Sequence, residues 1–192
     1  FNLFKNFLGK QTYEKMISGM YIGEIVRRVL MSLIKEKLLF VGQRAPELLF
    51  EKNSFMAKYV SEIDTEHRND FYFIKKTFKR HFDCKIKDST DMKIIKMVNS
   101  RVSHRAAHLA AVGCATILNR MERSMTAIAY DGTLIRKHPY FLLWMCEKIK
   151  QLTNPKFNFR LIESTDGSGR GAAIVAAVAA KRKNVKSKKS SK

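Results

Sequence analysis

The chain has 192 residues, 45% of them hydrophobic, enough for one domain with a sizeable core and little beyond it. No apolar run approaches the roughly 18 residues that span a membrane, and the opening FNLFKNFLGKQT is too short and too broken by lysine for a secretory core. The odd set Cys84, Cys114 and Cys146 has no CxxC pair and no metal-ligand spacing, which fits reduced thiols buried as small hydrophobes better than a disulfide frame.

The formal net charge of +20 is unevenly spread: seven cations and no acid fall in the last twelve residues. That stretch, Lys181 to Lys192, has nothing to bury and is expected to be a disordered tail. Nucleic acid, anionic lipid or an import receptor would suit it, as would plain solvation.

Taken in chain order, a short helix is predicted over Tyr13–Ser18, with Gly19 as a break or a point of close approach. Ile22, Ile25, Val26, Val29, Leu30, Leu33 and Ile34 recur at helical spacing and predict an amphipathic helix over Ile22–Glu36. Leu38–Phe50 reads as loop and turn around Gly42 and Pro46, and Phe55–Asp64 and Asp70–Arg80 as further helices. Asp91–Glu122 predicts one long or two joined helices, and its small middle (Ala106, Ala107, Ala110, Ala111, Gly113, Ala115) suggests packing against a sheet. A strand Ala127–Tyr130 then ends in Asp131-Gly132, a helix covers Tyr140–Leu152, a strand Asn158–Glu163 alternates, and a last helix spans Ala172–Arg182. Strand, helix, strand, helix implies a parallel sheet, whose ligands sit beyond the carboxyl ends of its strands.

Each candidate site admits a bland reading. Gly167, Gly169 and Gly171 match neither GxxxxGK[ST] nor GxGxxG, so they serve either tight packing and positive φ or an anion beside Arg170. Asp131-Gly132-Thr133 is a common turn or a ligand contact. Glu14 either complements a helix dipole or accepts bonds from ligand hydroxyls. His104 and His108 share a helix face, but no third metal ligand accompanies them, so no metal site is assigned.

Three long segments, YEKMISGMYIGEIVR, YDGTLIRKHPYF and ESTDGSGRGAAIVAAVA, resemble the C-terminal part of the large lobe of eukaryotic hexokinases, in that family's order and spacing. SFMAKYVSEID and SRVSHRAAHLAAVGCATILNRM fit the same alignment, so the resemblance covers the chain up to its basic tail. It implies an α/β chain of the actin-like ATPase (ribonuclease H-like) fold, a partial large lobe rich in helix, over 1–180, with the tail as 181–192. It also implies ATP-dependent phosphorylation of a glucose-like hexose with ATP and Mg2+. The unpaired cysteines and the lack of a secretory core give the expectation of a cytoplasmic protein, with nuclear entry through the tail as a variant.

By that resemblance Glu14 hydrogen-bonds the sugar, and Gly19 and Met20 touch nucleotide. Ala57, Lys58, Tyr59, Val60 and Ser61 lie near the adenosine, and Thr133, Leu134, Ile135, Arg136 and Lys137 form the adenosine motif. The glycine turn becomes the start of a helix connecting the nucleotide pocket to the hinge. Ala57 stands where the family has threonine, Ala129-Tyr130 where it has glycine-valine, Ile135 for tyrosine, and Lys52-Asn53 for Arg-Gly. No first phosphate loop, GTGTN-type loop, LGFTFSFP segment or Asn-Asp general base occurs in the sequence. The expectation is therefore a hexokinase segment that is inactive alone. The rival is an inactive, hexokinase-derived basic protein that binds nucleic acid or another polyanion through its lysines.

Overall fold

The computed structural model describes residues 9–66 and 70–189. Eight helices and two strands follow in the order α1 (Thr12–Ile17), α2 (Gly19–Lys35), α3 (Ala57–Asp64), α4 (Tyr72–His81), α5 (Ser89–Met121), β1 (Met125–Tyr130), α6 (Thr133–Lys137), α7 (Phe141–Leu152), β2 (Asn158–Glu163) and α8 (Gly167–Lys189). A short 3-10 turn, Glu47–Phe50, interrupts the loop between α2 and α3.

The break expected at Gly19 falls one residue earlier. Ser18 is extended, its Oγ accepts the Met20 N–H at 3.2 Å, and α2 starts at Gly19 itself. Ile22, Val26 and Leu30 of α2 are buried with Val60 and Ile63 of α3 and Ile74 and Phe78 of α4. Phe55, Phe78 and Phe82 stack within that core at centroid separations of 5.2 to 6.4 Å.

The long middle segment is one helix, α5, not two. This helix approaches other helices more closely than it approaches the sheet, against which the sequence expectation had placed it. Its main neighbour is α7, followed by α2, α3 and α1. Ala106, Ala107, Ala111 and Ala115 are buried, so the missing side-chain bulk serves helix-to-helix approach. Gly113 admits the Tyr13 ring, since a Cβ there would lie 2.4 Å from the Tyr13 oxygen, and Tyr13 Oη donates to the Leu109 carbonyl at 2.6 Å.

The seam between α5 and α7 holds His104, whose ring lies 4.8 Å from Trp144 and 4.0 Å from His108. Burial, then His104, then Lys148 push the His108 pKa below its ordinary value. A histidine depressed in the fold is protonated more readily when unfolded, so its contribution is a stability loss that appears as pH falls below 6.5. Urea unfolding of the wild type is expected to weaken between pH 7.5 and 5.5, and His108→Gln to flatten that dependence. An unchanged pH slope in the variant would place the effect elsewhere.

The strands pair in parallel, from Met125 opposite Asn158 to Tyr130 opposite Glu163, joined by α6 and α7. This is the predicted parallel alternation. Thr126, Ile128, Phe159 and Leu161 are half-buried on one face, while Met125, Ala127, Ala129 and Ile162 are exposed on the other. The three cysteines are free thiols as expected, but each is only half-buried rather than buried, and burial raises the pKa of Cys84 and Cys114.

The final helix differs most from expectation. It takes in all three glycines at its start and runs through Lys189, so the tail expected to be disordered from Lys181 is helical to that point. No glycine or proline occurs between Ala172 and Lys189, and alanine, lysine and arginine are strong helix formers. Residues 190–192 of the predicted tail lie outside the described residues. The positive φ that glycine was expected to supply falls instead on Asp166, at 52°. The glycines make room: a Cβ on Gly169 would lie 2.6 Å from the Asp166 carboxylate, and one on Gly167 would lie 2.9 Å from Ser164 Oγ.

Candidate functional site

The carboxyl end of β1 opens into a cleft of about 960 Å³ walled by α1, α2, α3, α6 and α7. Glu14 stands near the middle of α1, and the α1–α2 junction contributes Ser18, Gly19 and Met20. Opposite them, Asp131-Gly132 turns the chain out of β1. Gly132 has φ +125°, and its N–H donates to Asp131 Oδ1 at 2.7 Å. This turn launches α6, which lays Thr133, Leu134, Ile135 and Lys137 along the cleft. The two walls meet closely, because a Cβ on Gly19 would lie 3.1 Å from the Leu134 Cβ. Gly19 is thus the close approach anticipated for it.

Helical phase sorts the α3 segment. Ala57, Lys58 and Ser61 face the cleft, whereas Tyr59 and Val60 point the other way and are 3% and 0% exposed. These two of the five predicted contacts belong to the core. Arg136 also turns from the cleft, reaching Asp131 Oδ1 at 3.5 Å and Glu163 Oε1 at 3.8 Å, so it braces the ends of both strands. The remaining predicted residues, Glu14, Gly19, Met20, Thr133, Leu134, Ile135 and Lys137, are all brought to the one cleft.

The inner wall was not anticipated. Phe73 of α4, Ala110 of α5, and Phe141 and Met145 of α7 close it with apolar surface. They come from elements far apart in sequence and carry no local motif. Lys58 and Lys137 are exposed, and Glu14, Glu62 and Asp131 line the same space, so the rim is mixed in charge above an apolar floor. A mostly apolar cleft with a few convergent polar groups has the character of a small-molecule site.

A hexokinase family model matches residues 5–178. The chain belongs to the hexokinase family. It is 37% identical to a curated hexokinase of Schistosoma mansoni over 169 residues, covering 88% of this chain and 37% of that protein. It is 38% identical to human Hexokinase HKDC1 over 177 residues, covering 89% of this chain and 19% of the other. Among solved structures, the Schistosoma mansoni hexokinase complexed with glucose superposes with a TM-score of 0.83 at 36% identity, over 88% of this chain and 38% of that one. This hexokinase-family chain therefore spans well under half the length of these relatives. Its helix-rich α/β architecture with two parallel strands is the corresponding part of the family's actin-like fold.

Proposed function

We propose that this chain forms the nucleotide floor and one sugar-contacting carboxylate of an ATP-dependent hexose kinase. The observation that carries the reading is the convergence of Glu14, Gly19-Met20, the outward face of α3 and the α6 segment on one cleft. Gly19, Met20, Ala57 and Thr133 to Ile135 offer the small and apolar walls a nucleoside needs. Lys58 and Lys137 offer ammonium groups to phosphate oxygens, and Glu14 can accept hydrogen bonds from a hexose. Mg2+ takes few protein ligands and completes its shell with phosphate and water. The described residues hold no group of three or more metal-ligating side chains, which suits a metal that arrives with the nucleotide. Bound MgATP would supply the transferable phosphoryl group.

Transfer also needs a base for the attacking hydroxyl and cradles for the phosphates. This sequence carries neither, so the 192 residues are expected to bind without turning over. In a titration followed through Trp144, the sole tryptophan, MgATP should bind saturably. Lys58→Glu with Lys137→Glu should weaken that binding roughly tenfold or more, because like charge replaces attraction. Absence of saturation at millimolar MgATP would reject the nucleotide reading. Glucose 6-phosphate formed by the chain alone would reject the division of labour.

The charge of +20 and the basic stretch 181–192, taken as an extension of a 1–180 hexokinase-like segment, favour a second reading. In it the chain binds a polyanion through that extension. Salt-sensitive nucleic-acid binding lost on its deletion would support this, and salt-independent binding would exclude it.

A further inference from the structure

Beneath the cleft lies a polar cluster that no motif announced. Asp64, Asn99, Ser103 and His138 are 6%, 0%, 0% and 4% exposed. They come from the end of α3, from α5 and from the residue joining α6 to α7. His138 Nδ1 accepts the Phe141 N–H at 3.1 Å and the Tyr140 N–H at 3.2 Å, so it caps the start of α7. Two amides aimed at Nδ1 assign the ring proton to Nε2, which donates to Asp64 Oδ2 at 2.9 Å. Ser103 Oγ donates to the same carboxylate oxygen and also approaches the Asn99 carbonyl at 2.9 Å. Asn99 Nδ2 in turn holds the Val60 carbonyl of α3 at 2.9 Å.

His138 is also the cap that ends α6, its N–H donating to the Leu134 carbonyl at 2.9 Å, and Pro139 after it bars helix continuation. One residue therefore closes α6 with its backbone N–H, while its imidazole opens α7 and bonds sideways to α3. The outer faces of α3 and α6 both line the cleft, and the two helices are in direct contact. We propose that His138, Asp64 and Ser103 are positioning residues that set the spacing between these walls, with the His138–Asp64 bond as the tie across them. The tie itself does not depend on what the cleft binds, whereas its consequence for MgATP rests on the nucleotide reading above.

Two substitutions separate the ring's two jobs. In His138→Asn the side-chain oxygen stands near the place of Nδ1 and can still cap α7, but the side chain is too short for Asp64. In His138→Gln the amide reaches Asp64 and the cap is lost. Amide exchange over residues 133–137, referenced to α2, is expected to quicken about tenfold or more in His138→Asn, the usual weight of a buried bond to a charged group. It should return toward wild type in His138→Gln. MgATP affinity should fall and recover in parallel. Asp64→Asn is expected to be mild, since its oxygen still accepts from Nε2 and Ser103 can turn its proton to the Asn99 carbonyl.

Equal exchange at 133–137 in wild type and His138→Asn would overturn the proposal. So would equal loosening in both His138 variants, because the tie kept in His138→Gln would then not hold the walls. If His138→Asn does not fold, the wild type decides: tied walls require 133–137 and 57–64 to open together, and independent opening of 133–137 at lower protection rejects the tie. A wild type that shows the common opening but binds no MgATP would reject the nucleotide reading and support the tie.

Discussion

Gly23→Ala is expected to cost about 3 kcal/mol or more and to leave the chain largely unfolded at urea concentrations the wild type tolerates. Gly23 lies in α2 where the helix crosses the approach to α3, and a Cβ there would sit 1.9 Å from the Phe55 carbonyl oxygen. Its next neighbours, at 2.9 Å, are the carbonyl carbons of Phe55 and Met56. All three are backbone atoms, so no side chain can rotate aside and the two segments must part. Met56 is the residue from which α3 starts, so the displacement would also move the Ala57–Ser61 wall of the cleft. Gly171 is the matched control. Nothing lies within 4 Å of its added Cβ and its φ is not positive, so Gly171→Ala in exposed α8 should be neutral or stabilising by up to about 1 kcal/mol. Equal urea midpoints for wild type and Gly23→Ala would refute the close crossing.

Arg27→Met is expected to cost about 3 kcal/mol, because Glu24 loses its bidentate buried partner and keeps only the exposed Arg28 as a cationic partner, at 3.5 Å. The Arg27 side chain is 7% exposed and that of Glu24 is 15%. The guanidinium grips both carboxylate oxygens, at 2.7 and 2.8 Å, and its Nη1 donates to the Leu49 carbonyl at 2.6 Å. Glu24 also accepts the Asn53 N–H at 2.9 Å, so the pair pins both ends of the 49–53 loop to α2. Arg27, foremost by its hydrogen bond, holds the Glu24 carboxyl below its ordinary value of 4.5. A depressed carboxylate stabilises the fold above its unfolded pKa, and that contribution is lost as pH falls through the lower folded value. The gap in unfolding free energy between wild type and Arg27→Met should therefore be full near neutrality and shrink below pH 4.5. Glu24→Gln combined with Arg27→Met should recover part of the loss, because no stranded charge remains. A gap independent of pH would assign the cost to packing of the arginine stem alone.

Local pattern made much of the architecture legible. The 3.6-residue recurrence from Ile22 to Ile34 specified α2, and the alternation in Asn158–Glu163 specified β2, because each element buries one face and exposes the other. The α8 helix was underestimated since the glycines were weighed as punctuation. In the fold they form the first turns of the helix, and two of them, Gly167 and Gly169, make room for Ser164 and Asp166. The small residues of α5 signalled close approach but not that α7 is the main neighbour, because alanine fits a helix as well as it fits a strand.

The candidate site divides in the same way. The resemblance supplied the segments around Glu14, Gly19, Ala57 and Thr133, and the fold brings all four to one cleft. Within a segment, side-chain direction follows helical phase, and the five residues from Ala57 to Ser61 span more than one turn. Tyr59 and Val60 consequently fell to the core, and Arg136 to the strand ends.

By itself the sequence determined what is written in short range: the type of most elements, the parallel alternation, family membership and the segments that line the cleft. Tertiary structure alone decided what depends on residues distant in the chain. Phe73, Ala110, Phe141 and Met145 meet as one wall, and Asp64, 74 positions before His138, meets its imidazole at 2.9 Å. A buried hydrogen bond needs both partners placed within a few tenths of an ångström. Only the packing of α3, α5 and α7 places these two.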